Sequence, residues 1–236
     1  MEYLTGAYRD VGCRSRNEDS LGLRVLKRGS EGYLIAVIAD GIGSLEDGDI
    51  AGGYVVERML ECMGDAIKSS RNGHLNRHFL KRTIQKSLYE TTLRMNAYAI
   101  RRDIRMGSTL SMAVLNQRRY FLVQVGDSAI FKITNRKIKR ITPIHTDENG
   151  RLTRCIGSFR YQNPSFKTGE LRGSGGLLLS SDGFFRKTDE EEMKDFLNPT
   201  TLETEEQIEK HLSTMGNLLK RRGEKDNMSA IYIKIV

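Results

Sequence analysis

Proline, cysteine and long apolar runs are all scarce in this sequence, and each shortage argues against a class of protein. Only three prolines among 236 residues, with no low-complexity tract, argue against a long disordered region. The three cysteines form no Cys-x-x-Cys pair, which argues against a disulfide framework or a thiolate zinc site and favours a reducing cytosol. The longest apolar run, residues 33–39, is shorter than the ~20 residues that cross a bilayer. Because no basic segment followed by an apolar one opens the chain, we expect neither a secretory signal nor a membrane partner.

The charge balance is basic, since 38 lysines and arginines against 30 aspartates and glutamates give a formal net charge of +8. A basic chain invites comparison with nucleic-acid-binding proteins. Its basic clusters, however, are not interleaved with the aromatic side chains on which bases stack. We therefore expect no nucleic-acid partner and favour anionic protein partners such as phosphoproteins.

Apolar periodicity predicts a single α+β domain over residues 1–236. Residues 1–40 have strand character, and 33–39 has the continuous apolar pattern of a strand buried on both faces. Helices are predicted over 49–69, 76–101 and from Thr204, where Thr-Glu-Glu-Gln is a capping box. Further strands are predicted over 110–115, 120–125, 129–134, 137–141, 177–183 and 228–236. The helices are grouped rather than alternating with strands, which disfavours a doubly wound parallel sheet.

Acidic residues stand beside the predicted strands. They are Asp40, Asp127, Asp182 and Asp226, with Glu18-Asp19 as a fifth acidic point. A single such aspartate is usually a turn former, because aspartate is a poor strand residue and costly to bury unpaired. Five points that converge would repel one another unless a cation held them together. Since no histidine or cysteine set has ligand spacing, the expected cation is hard, Mg²⁺ or Mn²⁺.

This donor set is suited to phosphate chemistry. Two such cations about 3.5–4 Å apart can bridge a water and lower its pKa, so that it attacks phosphorus in line. The glycine after Asp40 would let a backbone carbonyl join the ligands. Arg14, close to Glu18 in the chain, can hold phosphate oxygens bidentately.

The ordered set of motifs resembles the metal-dependent protein phosphatases, the PPM or protein phosphatase 2C-like family, in its compact bacterial form. The motifs are Arg14-Ser-Arg-Asn-Glu18-Asp19, Asp40-Gly41-Ile42-Gly43, Gly107-Ser108-Thr109-Leu110, Val125-Gly126-Asp127-Ser128, Ser181-Asp182-Gly183 and Asp226-Asn227. Each motif alone is weak evidence of kinship, but together they occur in the family's order over residues 14–227.

The resemblance implies a four-layer α-β-β-α sandwich, in which helices flank two antiparallel sheets and the metal site lies at one end. It implies a phosphoprotein phosphatase with two Mn²⁺ or Mg²⁺ ions and a weaker third. Phosphoserine and phosphothreonine on the targets of a serine/threonine kinase would be hydrolysed by direct attack of a metal-bridging water. We further expect a cytoplasmic monomer.

The resemblance also implies roles for the acidic residues that hold the two principal metals. Asp40 would bridge both metals. Asp182 and Asp226 would hold the first metal, and Glu18 with the carbonyl of Gly41 would hold the second.

The remaining motif residues have implied roles around those metals. Asp127 would join Asp182 at the weaker third metal. Asp19 would act through water, and Arg14 would bind the phosphate. Asn227 would orient its neighbours.

The sequence departs from the family pattern in two places. Ile42 stands where many members have a histidine, a candidate general acid, and Ser44 replaces the usual second glycine. The leaving-group proton would then come from metal-bound water or another group, since His145 is interpreted as a plain loop residue. The segment of about 142–165, where the family carries a longer mobile flap, is predicted to be shortened, so we expect a more open cleft.

Other phosphate chemistries lack their motifs here. No cysteine is followed six positions later by arginine, as a cysteine phosphatase requires, and no Gly-x-x-x-x-Gly-Lys loop is present. An aspartyl-phosphate enzyme would have an Asp-x-Asp sequence directly after a strand, whereas Asp47-Gly-Asp49 follows a loop. One alternative from a different class stays open: a catalytically weak scaffold of the same fold that binds phosphoproteins or a kinase. The metal carboxylates, which such scaffolds typically lose, are retained and favour the enzyme.

Overall fold

Two five-stranded antiparallel sheets form the middle of the protein, in a computed structural model that describes residues 3–42, 47–70, 74–157 and 160–236. The first sheet has the order β1 (Tyr3–Asp10), β12 (Met228–Ile235), β11 (Gly176–Ser180), β7 (Ala129–Ile133) and β8 (Ile138–Arg140). The second has the order β10 (Ser165–Glu170), β6 (Arg119–Val125), β5 (Leu110–Asn116), β3 (Glu31–Asp40) and β2 (Asp19–Arg28). A separate two-residue ribbon pairs β4 (Gly107–Ser108) with β9 (Ile156–Gly157).

Helices cover the outer face of each sheet. The second sheet is covered by α1 (Gly48–Ser69) and α2 (Arg77–Arg102). The first sheet is covered by α3 (Asp182–Phe185), α4 (Glu190–Phe196) and α5 (Glu205–Arg221). A third apolar core lies between the two sheets. The predicted four-layer α-β-β-α sandwich is therefore confirmed.

Local sequence accounts for the main elements. The interior of β3 is buried on both faces because it lies between the inter-sheet core and the helical core. The predicted capping box of α5 is present, with the Thr204 hydroxyl accepting from the Gln207 amide and the Gln207 side chain bonding back. The apolar face of α5 is buried against the first sheet.

The predicted strand over 177–183 is wrong at its end. Strand β11 ends at Ser180, and Asp182 begins α3. The Ser181 amide still donates to the Ser229 carbonyl, but the Phe184 amide then donates back to Ser181 and closes a helical turn. Aspartate and glycine are poor strand residues, so the ladder gives way at this point. As a result, Asp182 lies at a helix start rather than inside a strand.

The segment 142–165 has little regular structure. Its described residues, which exclude 158–159, contain an isolated bridge between Thr146 and Leu152 and strand β9, with no helix. The shortened flap stays a prediction. Separately, none of the helices within the described ranges is both long and apolar enough to cross a bilayer.

Candidate active site

A cavity of about 310 Å³ brings together acidic residues from five parts of the chain. They lie at the ends of strands or just beyond them, as the sequence predicted. The predicted site residues that line the cavity are Arg14, Glu18, Asp40, Gly41, Asp127, Asp182 and Asp226. Asp19, the remaining predicted residue, is buried and pairs directly with Asp40 in the ladder between β2 and β3.

The acidic side chains in this cavity repel one another and have lost part of their hydration. Loss of hydration, and next the negative charges of Asp19 and Asp127, raise the pKa of Asp40 well above its ordinary value. Burial likewise raises the pKa values of Glu18 and Asp127. Clustered carboxylates with raised pKa values are stabilised in their charged form by a nearby cation.

Two arginines already contact this acidic set. Arg14 forms a bidentate pair with Asp226, at 3.0 Å from Nε to Oδ1 and 3.1 Å from Nη2 to Oδ2. Arg186 pairs with Asp182, a contact that the sequence did not predict. Within the described part of the chain, no three acidic, histidine or cysteine side chains are grouped closely enough to hold a metal as they stand. Arg14 occupies both carboxylate oxygens of Asp226, whereas Arg186 contacts only Oδ2 of Asp182.

The donor set nevertheless fits divalent cations. Carboxylate oxygens are the hard ligands that Mg²⁺ and Mn²⁺ prefer. The Oδ2 atom of Asp19 accepts a hydrogen bond of 2.7 Å from the Ser181 hydroxyl, whereas Oδ1 accepts none from the described residues. Burial raises the pKa of Asp19 to about 6. An unsatisfied buried carboxylate oxygen on the strand neighbour of Asp40 suits a residue that acts on a cation's hydration shell.

Asn227 ties two distant loops of the site together. Its Oδ1 atom accepts from the Glu18 amide at 2.9 Å. Its Nδ2 atom donates to the carbonyls of Val11 at 2.9 Å and Arg16 at 3.0 Å. The loop that carries Arg14 and Glu18 is thus fastened to the residue that follows Asp226.

Glu224 shapes the turn that presents Asp226, a role that sequence reasoning missed. Its Oε1 atom accepts from the amides of Lys225 at 2.9 Å and Asp226 at 3.1 Å. Its Oε2 atom lies 3.8 Å from the Lys187 ammonium, and the residue is only 4 % exposed. A glutamate among basic residues just before a strand was the available signal.

A buried polar network fixes the end of β3. The Thr109 hydroxyl accepts from the Asp40 amide at 3.0 Å and lies 2.8 Å from the Ser128 hydroxyl. The Gln124 side chain donates to the Ser128 carbonyl at 2.6 Å and accepts from the Ser111 hydroxyl at 2.7 Å. Thr109 and Ser128 belong to predicted motifs. Ser111 and Gln124 were missed, and their signal was a polar residue within an otherwise apolar strand.

Two glycines permit the close packing around Glu18 and Asp40. A Cβ atom on Gly41 would lie 2.1 Å from the Gly48 carbonyl oxygen. One on Gly52 would lie 2.8 Å from the Glu18 carbonyl oxygen. The start of α1 therefore approaches the acidic residues without intervening side chains.

His145 is a buried positioning residue beside the site, which the interpretation as a plain loop residue did not anticipate. Its Nδ1 atom accepts from the Gly126 amide at 3.1 Å, and Nε2 lies 2.9 Å from the Ser165 hydroxyl. Burial, and next the charge of Arg154, lower its pKa to about 4, so the ring is neutral near pH 7. It therefore supports the residue that precedes Asp127.

The sequence departs from the family motif next to Gly41 at Ile42 and Ser44, and the structure describes the first of these two residues. Ile42 lines the cavity, and its amide donates to the Gly107 carbonyl at 3.0 Å. Its side chain carries no titratable proton. Gly43 and Ser44 lie outside the described residues.

The chain is similar in sequence and fold to known proteins. The serine/threonine phosphatase stp of Listeria monocytogenes is 26 % identical over 205 residues, 78 % of each chain. The solved serine/threonine phosphatase Stp1 from Staphylococcus aureus has a TM-score of 0.82 and 21 % identity, covering 100 % of this chain and 96 % of its own. The catalytic domain of serine/threonine protein phosphatase PstP, solved with two manganese ions, has a TM-score of 0.74 and 21 % identity, covering 99 % and 98 %.

The family assignment rests on a longer match than any one motif. The model of the family described as Protein phosphatase 2C matches residues 12–228, a stretch that includes all of the predicted site residues and the whole of the second sheet. The predicted resemblance is confirmed: the chain belongs to the protein phosphatase 2C family.

Proposed function

We propose that this protein is a metal-dependent serine/threonine protein phosphatase. It hydrolyses phosphoserine and phosphothreonine on proteins by direct attack of water, with no phosphoenzyme. The observation that carries the proposal is the convergence of five acidic residues in one cavity of a protein phosphatase 2C family chain. The named phosphatases to which the chain is similar also support it.

The acidic residues would divide two Mn²⁺ or Mg²⁺ ions between them. Asp40 would contact both ions, Asp182 and Asp226 the first, and Glu18 with the carbonyl of Gly41 the second. When bound, such ions lower the pKa of water and neutralise phosphoryl charge. The two manganese ions of the PstP structure support this number of ions.

The remaining site residues would act on the substrate and on the surroundings of the ions. The Arg14 side chain is more than half exposed. Its guanidinium group would release Asp226 and bind the phosphate oxygens through paired hydrogen bonds. Asp127 with Asp182 would hold a weaker third ion. Asp19 would accept a hydrogen bond from the hydration shell through its unsatisfied Oδ1 atom. We assign no side chain as general acid, because Ile42 cannot donate a proton.

Two assays test the proposal with one pair of variants. Hydrolysis of p-nitrophenyl phosphate and of a phosphothreonine peptide is measured with Mn²⁺ and again with chelator. Asp182→Asn should lower kcat by at least about 100-fold, because it removes a charged ligand while keeping the side-chain shape. Asp195→Asn makes the same chemical change on the exposed face of α4 and should leave kcat unchanged.

The alternatives give distinct results. Near-normal turnover by a folded Asp182→Asn variant would contradict the metal assignment. Absence of hydrolysis by the wild type, with Mn²⁺ bound as measured by calorimetry, would favour the phosphoprotein- or kinase-binding scaffold. Kinase-made substrates, a monomeric state and a cytoplasmic location stay predictions.

A further inference from the structure

A second cavity adjoins the acidic one. It has a volume of about 510 Å³ and shares two lining residues, Ile42 and Leu152, with the acidic cavity. Its other walls include three arginines, Arg151, Arg154 and Arg160. We call this second cavity the arginine groove. A chain segment that leaves the acidic cavity over Leu152 therefore enters a strongly basic groove.

The arginine groove is lined by positive charge, and the nearby Asp147 carboxylate accepts from the Arg151 amide at 2.9 Å rather than pairing with a guanidinium group. None of the side chains that line it within the described residues is acidic. Arg151 and Arg160 are exposed, and neither forms an ion pair with a residue that the structure describes. Arg154 is held in place instead, since it donates to the Asn163 carbonyl at 3.2 Å and the Ser165 hydroxyl at 3.4 Å.

The geometry points to a ligand that spans both cavities. An extended peptide advances ~3.3–3.6 Å per residue, so residues two to four positions from a phosphorylated side chain reach the neighbouring groove. Guanidinium groups bind carboxylates through paired hydrogen bonds, and their attraction is larger where a cavity wall excludes part of the water.

We propose that the arginine groove binds aspartate or glutamate side chains that flank the phosphorylated residue of a protein substrate. This inference rests on the proposed phosphatase function and adds a substrate class to it. Arg151 and Arg160 are the recognition residues, because their side chains are exposed and form no internal ion pairs. Arg154 forms the base of the groove and keeps its internal hydrogen bonds.

The test uses binding and turnover as separate readouts. Fluorescence anisotropy compares two labelled peptides with an unphosphorylated threonine, one flanked by glutamates and one by lysines, with Mn²⁺ present; no turnover competes because there is no phosphate to remove. The wild type should bind the glutamate peptide about tenfold more tightly than the lysine peptide, as two partly exposed ion pairs predict. The double variant Arg151→Glu/Arg160→Glu should abolish or reverse this preference.

A matched control separates local recognition from overall charge. The double variant Arg136→Glu/Lys137→Glu makes the same change in net charge in the exposed turn between β7 and β8, and it should leave the preference unchanged. In turnover assays with Mn²⁺, Arg151→Glu/Arg160→Glu should raise KM for the phosphothreonine form of the glutamate peptide about tenfold while leaving kcat and the hydrolysis of p-nitrophenyl phosphate unchanged. That small substrate does not reach the groove.

The outcomes distinguish the two proposals. Equal binding of both peptides by the wild type, or a preference that survives in the double variant, would overturn the assignment of the groove. Loss of the preference in Arg136→Glu/Lys137→Glu would overturn it as well, because the effect would then come from net charge. Absence of p-nitrophenyl phosphate hydrolysis would contradict the proposed function alone, since anisotropy still decides the groove.

Discussion

One wall of the acidic cavity, the ligand wall, is formed by residues 11–19 and 224–227, and the side chains of Asn227 and Glu224 hold it by accepting hydrogen bonds from backbone amides. Its two segments adjoin β1 and β12, which pair with each other along their full length. The loop wall, residues 142–157, has only one isolated bridge and a two-residue strand. It is anchored at His145, whose ring bonds to Gly126.

The difference matches what each wall would do in the proposed phosphatase. Metal ligands must be held to within about 0.5 Å of their working geometry, which strands and buried hydrogen bonds provide. A wall that recognises varied peptide sequences can be a loop, because loops tolerate change without loss of the core. We therefore expect damage to the ligand wall to affect metal binding, and damage to the loop wall to affect local stability.

The largest effect is expected from Asn227→Ala, which breaks the ligand wall. It removes the hydrogen bonds to the Glu18 amide and to the carbonyls of Val11 and Arg16. Mn²⁺ affinity should fall about 10–100-fold, as is typical when a residue that orients metal ligands is lost. Unfolding should become easier by about 1–3 kcal/mol. Calorimetric titration with Mn²⁺ and urea unfolding measure the two effects.

The control for this variant is Asn135→Ala, in the exposed turn between β7 and β8. It should change neither Mn²⁺ affinity nor stability. Unchanged Mn²⁺ affinity in Asn227→Ala would show that the ligand wall does not depend on this clamp.

An intermediate effect is expected from acid acting on the loop wall. The pKa of His145 is lowered from 6.5 to about 4, so as the pH falls below 6.5 the unfolded chain takes up a proton before the folded one. Stability from this group is therefore complete above about pH 6.5 and decreases as the pH falls toward 4. His145→Asn keeps an acceptor near the Gly126 amide but cannot titrate. Its unfolding free energy should fall less between pH 7 and pH 5 than that of the wild type, by on the order of 2 kcal/mol.

Urea unfolding at the two pH values measures this difference. His78→Asn, at an exposed position on α2, is the matched control and should follow the wild type. Equal pH dependence in wild type and His145→Asn would exclude His145 as a pH-sensitive anchor of the loop wall.

The smallest effect is expected from Thr204→Ala, which touches neither wall. The Thr204 hydroxyl caps α5 by accepting from the Gln207 amide at 3.2 Å. Its loss should destabilise the protein by about 1 kcal/mol, as a shift in the urea midpoint. The kcat/KM for p-nitrophenyl phosphate should not change. A parallel loss of activity would mean that activity depends on the stability of the whole protein. The effects of the other variants could then not be assigned to one wall or the other.

Much of the fold was predictable because its signals are local. The apolar run at 33–39 is β3, and the capping box at Thr204 starts α5. The end of β11 was missed although its signal is local, because aspartate and glycine at 182 and 183 are poor strand residues and the Phe184 amide donates back to Ser181. Helix α4 was missed because it is short and buries few apolar side chains.

The candidate site likewise contains some residues that the sequence identified and others that it did not. The acidic motifs identified the residues that line the cavity, because aspartate beside an apolar strand is unusual enough to notice. The supporting residues Glu224, Gln124 and Ser111 carry no comparable signal, since each is an ordinary polar residue until its partner is known. The pairing of Arg186 with Asp182 was equally invisible, although the two lie on one helical turn.

By itself, the sequence determined the kind of elements, their order, the family and the residue types available for hard-cation and phosphate chemistry. These follow from periodicity, caps and motif order, which are properties of neighbouring residues. Only the tertiary structure decided which groups meet. Asn227 and Glu18 are 209 positions apart and touch only because β1 pairs with β12. The raised pKa of Asp40 and the arginine groove beside it are likewise products of packing, since burial and charge depend on what surrounds a side chain.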